Sequence, residues 1–231
     1  MTTKEAAANI ITVISHVADP AIGVLRSVAQ DMGYTLMIRR PFQGDSLPSA
    51  SQQRALIILG GPQSAYDTAA HPYLLDEITH LRKMHRSAVP ILGLCLGSHL
   101  LADALGGRSR PGESGLECGF INVVATTPDL PVGGRYFSFH SDTAGAPAGA
   151  EILARSDRYL QAWRVGSSTA IQFHPELDAD GVDSLLDIEG PKLARYGVDV
   201  PALRACVGPE LSPPTPGEKL LTAWLSDLSG N

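Results

Sequence analysis

Cysteine is scarce in this chain. Three residues, Cys95, Cys118 and Cys206, occur among 231, an odd set without CxxC spacing. That pattern argues against a disulfide framework and a structural zinc site, and no metal is expected. No basic block stands out and the formal net charge is −6 at pH 7, so nucleic acid is not an expected partner. Long apolar runs are missing from the start of the chain. Residues 1–11 read as neither a secretory signal nor a membrane span, and no membrane partner is expected. Repeats, low-complexity tracts, a P-loop and other nucleotide signatures are absent, and nothing in the sequence asks for a cofactor. These absences fit a reducing cytoplasm, which also keeps a free thiol usable.

What is present is an ordinary globular composition, 44% hydrophobic, in a chain long enough for one α/β domain with a buried core. A single domain over residues 1–231 is expected, its core spanning about 10–190 and a helical C-terminal extension about 178–231. Strand and helix patterns alternate through the first half. Residues 9–17, 34–38, 54–59 and 89–94 are β-rich and apolar. Residues 20–32, opened by Asp19-Pro20 as N-cap and first helical residue, and residues 73–85 carry helical spacing. Near-continuous apolar strands separated by helices predict a central, mostly parallel sheet with helices on both faces, a flavodoxin-like α/β arrangement. In the second half, short β-like runs at 120–125, 135–140, 152–154, 160–165 and 169–173 predict antiparallel strands added to that core, including a small antiparallel sheet. Helical pieces return at 183–187, 191–196 and 218–228, with 208–217 read as a loop.

The richest segment is residues 91–101, ILGLCLGSHLL. An apolar strand runs into Gly-x-Cys-x-Gly, and a helical pattern follows at once. Such an elbow holds one side chain clear of the backbone at the mouth of a sheet, and bulk beside so tight a turn would clash with the strand or helix. The helix N-terminus favours thiolate over thiol, so Cys95 reads as a nucleophile. Two more segments end predicted strands on the edge where ligands bind such sheets. Gly60-Gly61-Pro62 follows one strand, and His174-Pro175-Glu176 follows another. A cysteine nucleophile needs a base that holds its proton and returns it to the leaving group. Histidine titrates in the right range, and a carboxylate on its other ring nitrogen sets tautomer and orientation. His16 closes the first strand at the same edge, so a pocket role is conceivable.

Gly60-Gly61-Pro62-Gln63-Ser64, the run from Gly93 to Gly107 and Gln172-Phe173-His174-Pro175-Glu176 resemble, in order and spacing, the class I glutamine amidotransferase domain. The similarity extends over roughly residues 10–190 and also takes in Glu117-Cys118-Gly119-Phe120 and His140-Ser141-Asp142. Within the family the chain looks like stand-alone members similar to the glutaminase domain of GMP synthase. The resemblance implies a Cys95–His174–Glu176 triad that forms a γ-glutamyl thioester on Cys95, with the backbone N–H groups of Gly61 and Leu96 as oxyanion hole. It implies a small γ-glutamyl substrate, and Gly60, His99 and His140 are expected near it. His140 either lines the site entrance or lies on the surface. Cys118 and Cys206 have no partner motif and are read as structural.

Two features depart from the family pattern. Many members carry His-Gln directly after the elbow glycine, where the glutamine helps to hold substrate; this chain has Ser98-His99. No synthetase domain accompanies the motifs. The chain is therefore either the ammonia-donating subunit of a two-chain enzyme with a synthetase partner, or a self-sufficient hydrolase of γ-glutamyl amides or peptides. A catalytically silent, ligand-binding relative is the third reading, and it sits poorly with an intact triad.

Overall fold

The computed structural model describes residues 9–228. Most of the stretch read above as neither signal nor span, residues 1–8, lies outside the described residues. Four apolar strands, β1 (Ile10–Ile14), β2 (Thr35–Arg39), β3 (Ala55–Ile58) and β4 (Ile91–Leu94), pair in parallel in the order β2-β1-β3-β4. Every residue of β3 and β4 is buried. A strand covered on both faces needs apolar side chains on both, which is why these segments read as unbroken apolar runs. Helix α1 (Gly23–Asp31) covers one face, and α2 (Tyr73–Arg86) and α3 (Leu96–Leu105) cover the other.

The remaining strands are β5 (Arg108–Pro111), β6 (Glu117–Ala125), β7 (Gly134–His140), β8 (Asp142–Gly145), β9 (Glu151–Arg155), β10 (Leu160–Val165) and β11 (Ser168–Ile171). They extend the main sheet as β4-β11-β10-β9-β6-β7, while β5 and β8 form a small antiparallel sheet of their own. The 169–173 run, expected among the antiparallel additions, forms β11, which instead pairs in parallel with β4, with Ile171 opposite Leu94. The antiparallel part begins one strand further out, at β10. Short β-runs look alike locally; the partner across the ladder decides their direction.

Helix boundaries are corrected too. Helix α1 starts at Gly23 with Ile22 as a cap that makes no side-chain bond, leaving Asp19-Pro20 in the preceding loop. A tertiary contact does the capping: the Val24 N–H donates to the Glu176 carbonyl at 3.1 Å. The pieces expected at 183–187 and 191–196 are one helix, α4 (Ala179–Arg195), which runs through Pro191 and is capped by the Asp178 side chain on the Gly181 N–H. Helix α5 (Val200–Glu210) was not expected. Val207 is its one buried residue, so its sequence carries little amphipathic signal, and Gly208-Pro209 reads locally as a turn. Helix α6 (Pro216–Asp227) opens with a capping box between Thr215 and Glu218. Its Leu220, Leu221, Trp224 and Leu225 belong to the same core cluster as α1 and β1. Among the described residues no helix is long and apolar enough to cross a membrane.

Candidate active site

Four parallel strands deliver polar residues to one edge of the sheet. Beyond the carboxyl end of β1 comes His16, beyond β3 Gly60-Gly61, beyond β4 Cys95, and beyond β11 His174. Cys95 is held at φ 50°, ψ −110°, a conformation that side-chain-bearing residues rarely adopt and that stores about 1–3 kcal/mol of strain. Its N–H donates to the Ile171 carbonyl at 2.9 Å, tying the elbow to β11. Both elbow glycines are required by close packing. A methyl group on Gly97 would lie 2.2 Å from the Ile58 carbonyl oxygen, and one on Gly93 would lie 2.6 Å from that of Gly97.

Cys95, His174 and Gly60 meet at one point. A Cβ at Gly60 would sit 3.1 Å from His174 Cε1 and 3.8 Å from Cys95 Sγ. His174 Nδ1 lies 2.7 Å from Glu176 Oε1, and both side chains are buried. Burial alone would lower the pKa of the ring. The charges of Glu176 and Cys95, with hydrogen bonds to both, outweigh it and hold His174 well above the ordinary histidine value. Leu96 is the first residue of α3, so its N–H has no intrahelical acceptor. The Leu96 side chain packs on Gly61, where an added Cβ would lie 3.0 Å from Leu96 Cδ2. Cys95 Sγ is 3.9 Å from the Phe139 carbonyl oxygen of β7.

The elements around this point are pinned by two further buried histidine–glutamate pairs. His140 is not on the surface: at the end of β7 its Nε2 lies 3.1 Å from Glu117 Oε2 and its Nδ1 2.7 Å from the Asp142 carbonyl. Burial pushes the Glu117 carboxyl up, but hydrogen bonds from His140, Ser156 and Gln161 hold it below the usual carboxylate value. His16 is likewise buried, between Gly60 and Glu77 of α2. His99 is buried one turn into α3, with Nε2 2.7 Å from Gln172 Oε1, and burial lowers its pKa. Cys118 is half-buried, with a thiol pushed up to about 11 by desolvation, whereas Cys206 is exposed.

The structure therefore gathers Cys95, His174, Glu176, Gly60, Gly61 and Leu96 at one point and sets His99 and His140 into buried networks beside it. Sequence reasoning missed Glu77, the Phe139 carbonyl and the bond between Gln172 and His99. Glu77 did leave a trace, as a carboxylate inside the apolar stripe Leu74–Leu81–Met84 of α2. Phe139 left none, and Gln172, although it opens the 172–176 motif, gave no sign of its His99 partner, since each contact joins distant elements.

A doubly covered parallel sheet thus carries a cysteine elbow and a buried histidine–carboxylate pair at its carboxyl edge. The class-I glutamine amidotransferase family model matches residues 24–184, and the chain belongs to that family, whose membership implies hydrolysis of glutamine. It is 27% identical over 201 residues to YfeJ, a glutamine amidotransferase-like protein of Salmonella typhimurium, covering 78% of this chain and 81% of the relative. It is 28% identical over 153 residues to the GMP synthase of Pyrobaculum aerophilum, covering 64% of this chain and 29% of that protein. The chain thus matches under a third of the length of that GMP synthase. A solved glutamine amidotransferase from Thermotoga maritima shares the fold at TM-score 0.83 and 24% identity, over 95% of this chain and 96% of that one.

Proposed function

We propose that the protein hydrolyses the γ-glutamyl C–N bond of glutamine or a γ-glutamyl amide through a thioester on Cys95. The observation that carries this reading is the strained elbow that holds Cys95 beside a ring fixed 2.7 Å from Glu176. The sulfur attacks the γ-carbonyl carbon, and the carbonyl oxygen takes negative charge between the N–H groups of Gly61 and Leu96. Two such donors stabilise the tetrahedral intermediate by several kcal/mol. His174, charged once it holds the cysteine proton, gives that proton to the departing nitrogen, and ammonia or an amine leaves. It next takes a proton from water, which attacks the thioester and frees glutamate and the thiol. Glu176 keeps Nδ1 protonated and so leaves Nε2 to work. Gly60, His99 and His140 border the substrate in this reading.

A mass shift matching one γ-glutamyl adduct from a γ-glutamyl electrophile, lost in Cys95→Ala, is expected together with turnover across glutamine, γ-glutamyl peptides and γ-glutamyl anilides. Neither adduct nor turnover would mean a silent, ligand-binding relative. The similarity to GMP synthases favours a second reading, in which ammonia passes to a synthetase partner. Feeble glutaminase activity alongside fast cleavage of γ-glutamyl amines supports a self-sufficient hydrolase. Stimulation of glutaminase activity by a second protein supports the subunit role.

A further inference from the structure

We propose that His16 and Glu77 are positioning residues for acyl transfer: buried behind the Gly60-Gly61 turn, they hold the Gly60 carbonyl so that the Gly61 N–H points at the developing oxyanion. The inference rests on the thioester reading above and deepens it. His16 stands two residues past β1 and Glu77 on the inner face of α2, and both side chains are sealed from solvent. His16 Nδ1 lies 3.2 Å from the Gly60 carbonyl oxygen, and Nε2 lies 2.9 Å from Glu77 Oε2. The base of the His16 side chain also backs onto the next residue, since a Cβ at Gly61 would lie 2.6 Å from His16 Cβ. The Gly60 carbonyl and the Gly61 N–H belong to one planar peptide unit, so fixing the carbonyl direction fixes the N–H direction.

Both ring nitrogens face acceptors. A carbonyl oxygen only accepts, so the contact grips Gly60 when Nδ1 carries the proton and donates to it. Glu77 therefore selects the ring state that grips the peptide, as Glu176 does for His174. The hydrogen bonds of the pair join His16 to Gly60 and to Glu77, so the pair acts on where the carbonyl oxygen of the substrate goes and not on the thiol.

That separation sets the test. Alkylation of Cys95 by iodoacetamide needs the thiol but no oxyanion hole; hydrolysis of a γ-glutamyl anilide needs both. Replacing a buried ion pair by apolar residues of similar volume is often neutral for stability, so His16→Leu/Glu77→Leu is expected to melt near the wild-type temperature. It should lose about 10- to 100-fold in kcat with little change in KM, less than deletion of an oxyanion donor outright, and alkylate at the wild-type rate. Glu77→Gln, whose amide can donate to Nε2 while Nδ1 keeps its proton for Gly60, should retain most of kcat. Wild-type kcat in the double variant overturns the proposal. So does a parallel fall of kcat, alkylation and melting temperature, or a Glu77→Gln enzyme as poor as Glu77→Leu. If neither the double variant nor Glu77→Leu folds, the pair is structural support and the proposal falls. Absence of turnover by the wild type sinks the thioester reading itself; turnover with undiminished variants sinks the positioning role alone.

Discussion

Glu176 shows how one carboxylate couples stability to the proposed chemistry. Burial works to lower the His174 pKa, yet Glu176 and Cys95 hold it well above the ordinary value. A histidine whose folded pKa is raised adds stability that is complete below its unfolded value of about 6.5 and fades as pH rises through the folded value. The wild type should therefore exceed Glu176→Gln in stability by about 2 kcal/mol near pH 6, less than full loss of a buried partner because glutamine still accepts a hydrogen bond. The gap should shrink toward alkaline pH in thermal melts, and a gap that widens would contradict the assignment. His99 carries a second expectation. Its Nε2 is taken by the Gln172 carbonyl, so the ring offers an acceptor at Nδ1, where a glutamine amide would offer both a donor and an acceptor. His99→Gln should raise kcat/KM for free glutamine relative to γ-glutamyl anilides, and an unchanged ratio would remove His99 from substrate contact. Cys95, His174 and Glu176 were all legible as residues, because a nucleophile elbow and a histidine–carboxylate pair are local patterns. The pairings of Glu77 with His16 and of Gln172 with His99 were not, since the partners lie 61 and 73 residues apart.

Among the elements, β4 and α3 followed directly from sequence: an apolar run, a glycine-flanked turn and the helical pattern after it leave few alternatives, although α3 is buried on nearly every side. Helix α5 and the start of α1 did not, because contacts with other elements set them. Helix α6 shows how far such a contact reaches. Gly217 lies in its first turn, and a methyl group there would sit 2.4 Å from the Pro175 carbonyl oxygen, between His174 and Glu176. The obstructing atom is backbone and cannot swing aside, so Gly217→Ala must move the helix or the 174–176 segment. We expect a loss of about 1–3 kcal/mol in denaturant unfolding and a lower kcat, the usual penalty for overpacking. Unchanged stability with unchanged kcat would mean that α6 does not brace the site. The helix also buries Leu220, Leu221, Trp224 and Leu225 against α1 and β1, so this last part of the C-terminal extension joins the main core, whereas α4 and α5 pack in a separate cluster around Phe137.

In the whole molecule, strand order makes the site. The order β2-β1-β3-β4-β11 puts the ends of β3, β4 and β11 side by side, bringing Gly60, Cys95 and His174 within contact of one another. The sequence by itself determined the alternation of apolar strands with helices, the thiol on its elbow, and the histidine and carboxylate held two residues apart. Those features depend on side-chain period, turn sterics and spacing, all of which act within a few residues. Only the tertiary structure decided that β11 runs parallel beside β4, that His140 is buried on Glu117, and that His16 and Glu77 meet behind Gly60. Those outcomes depend on ladder pairing and on which buried polar groups find partners, and such contacts join segments whose separation along the chain leaves no periodic trace.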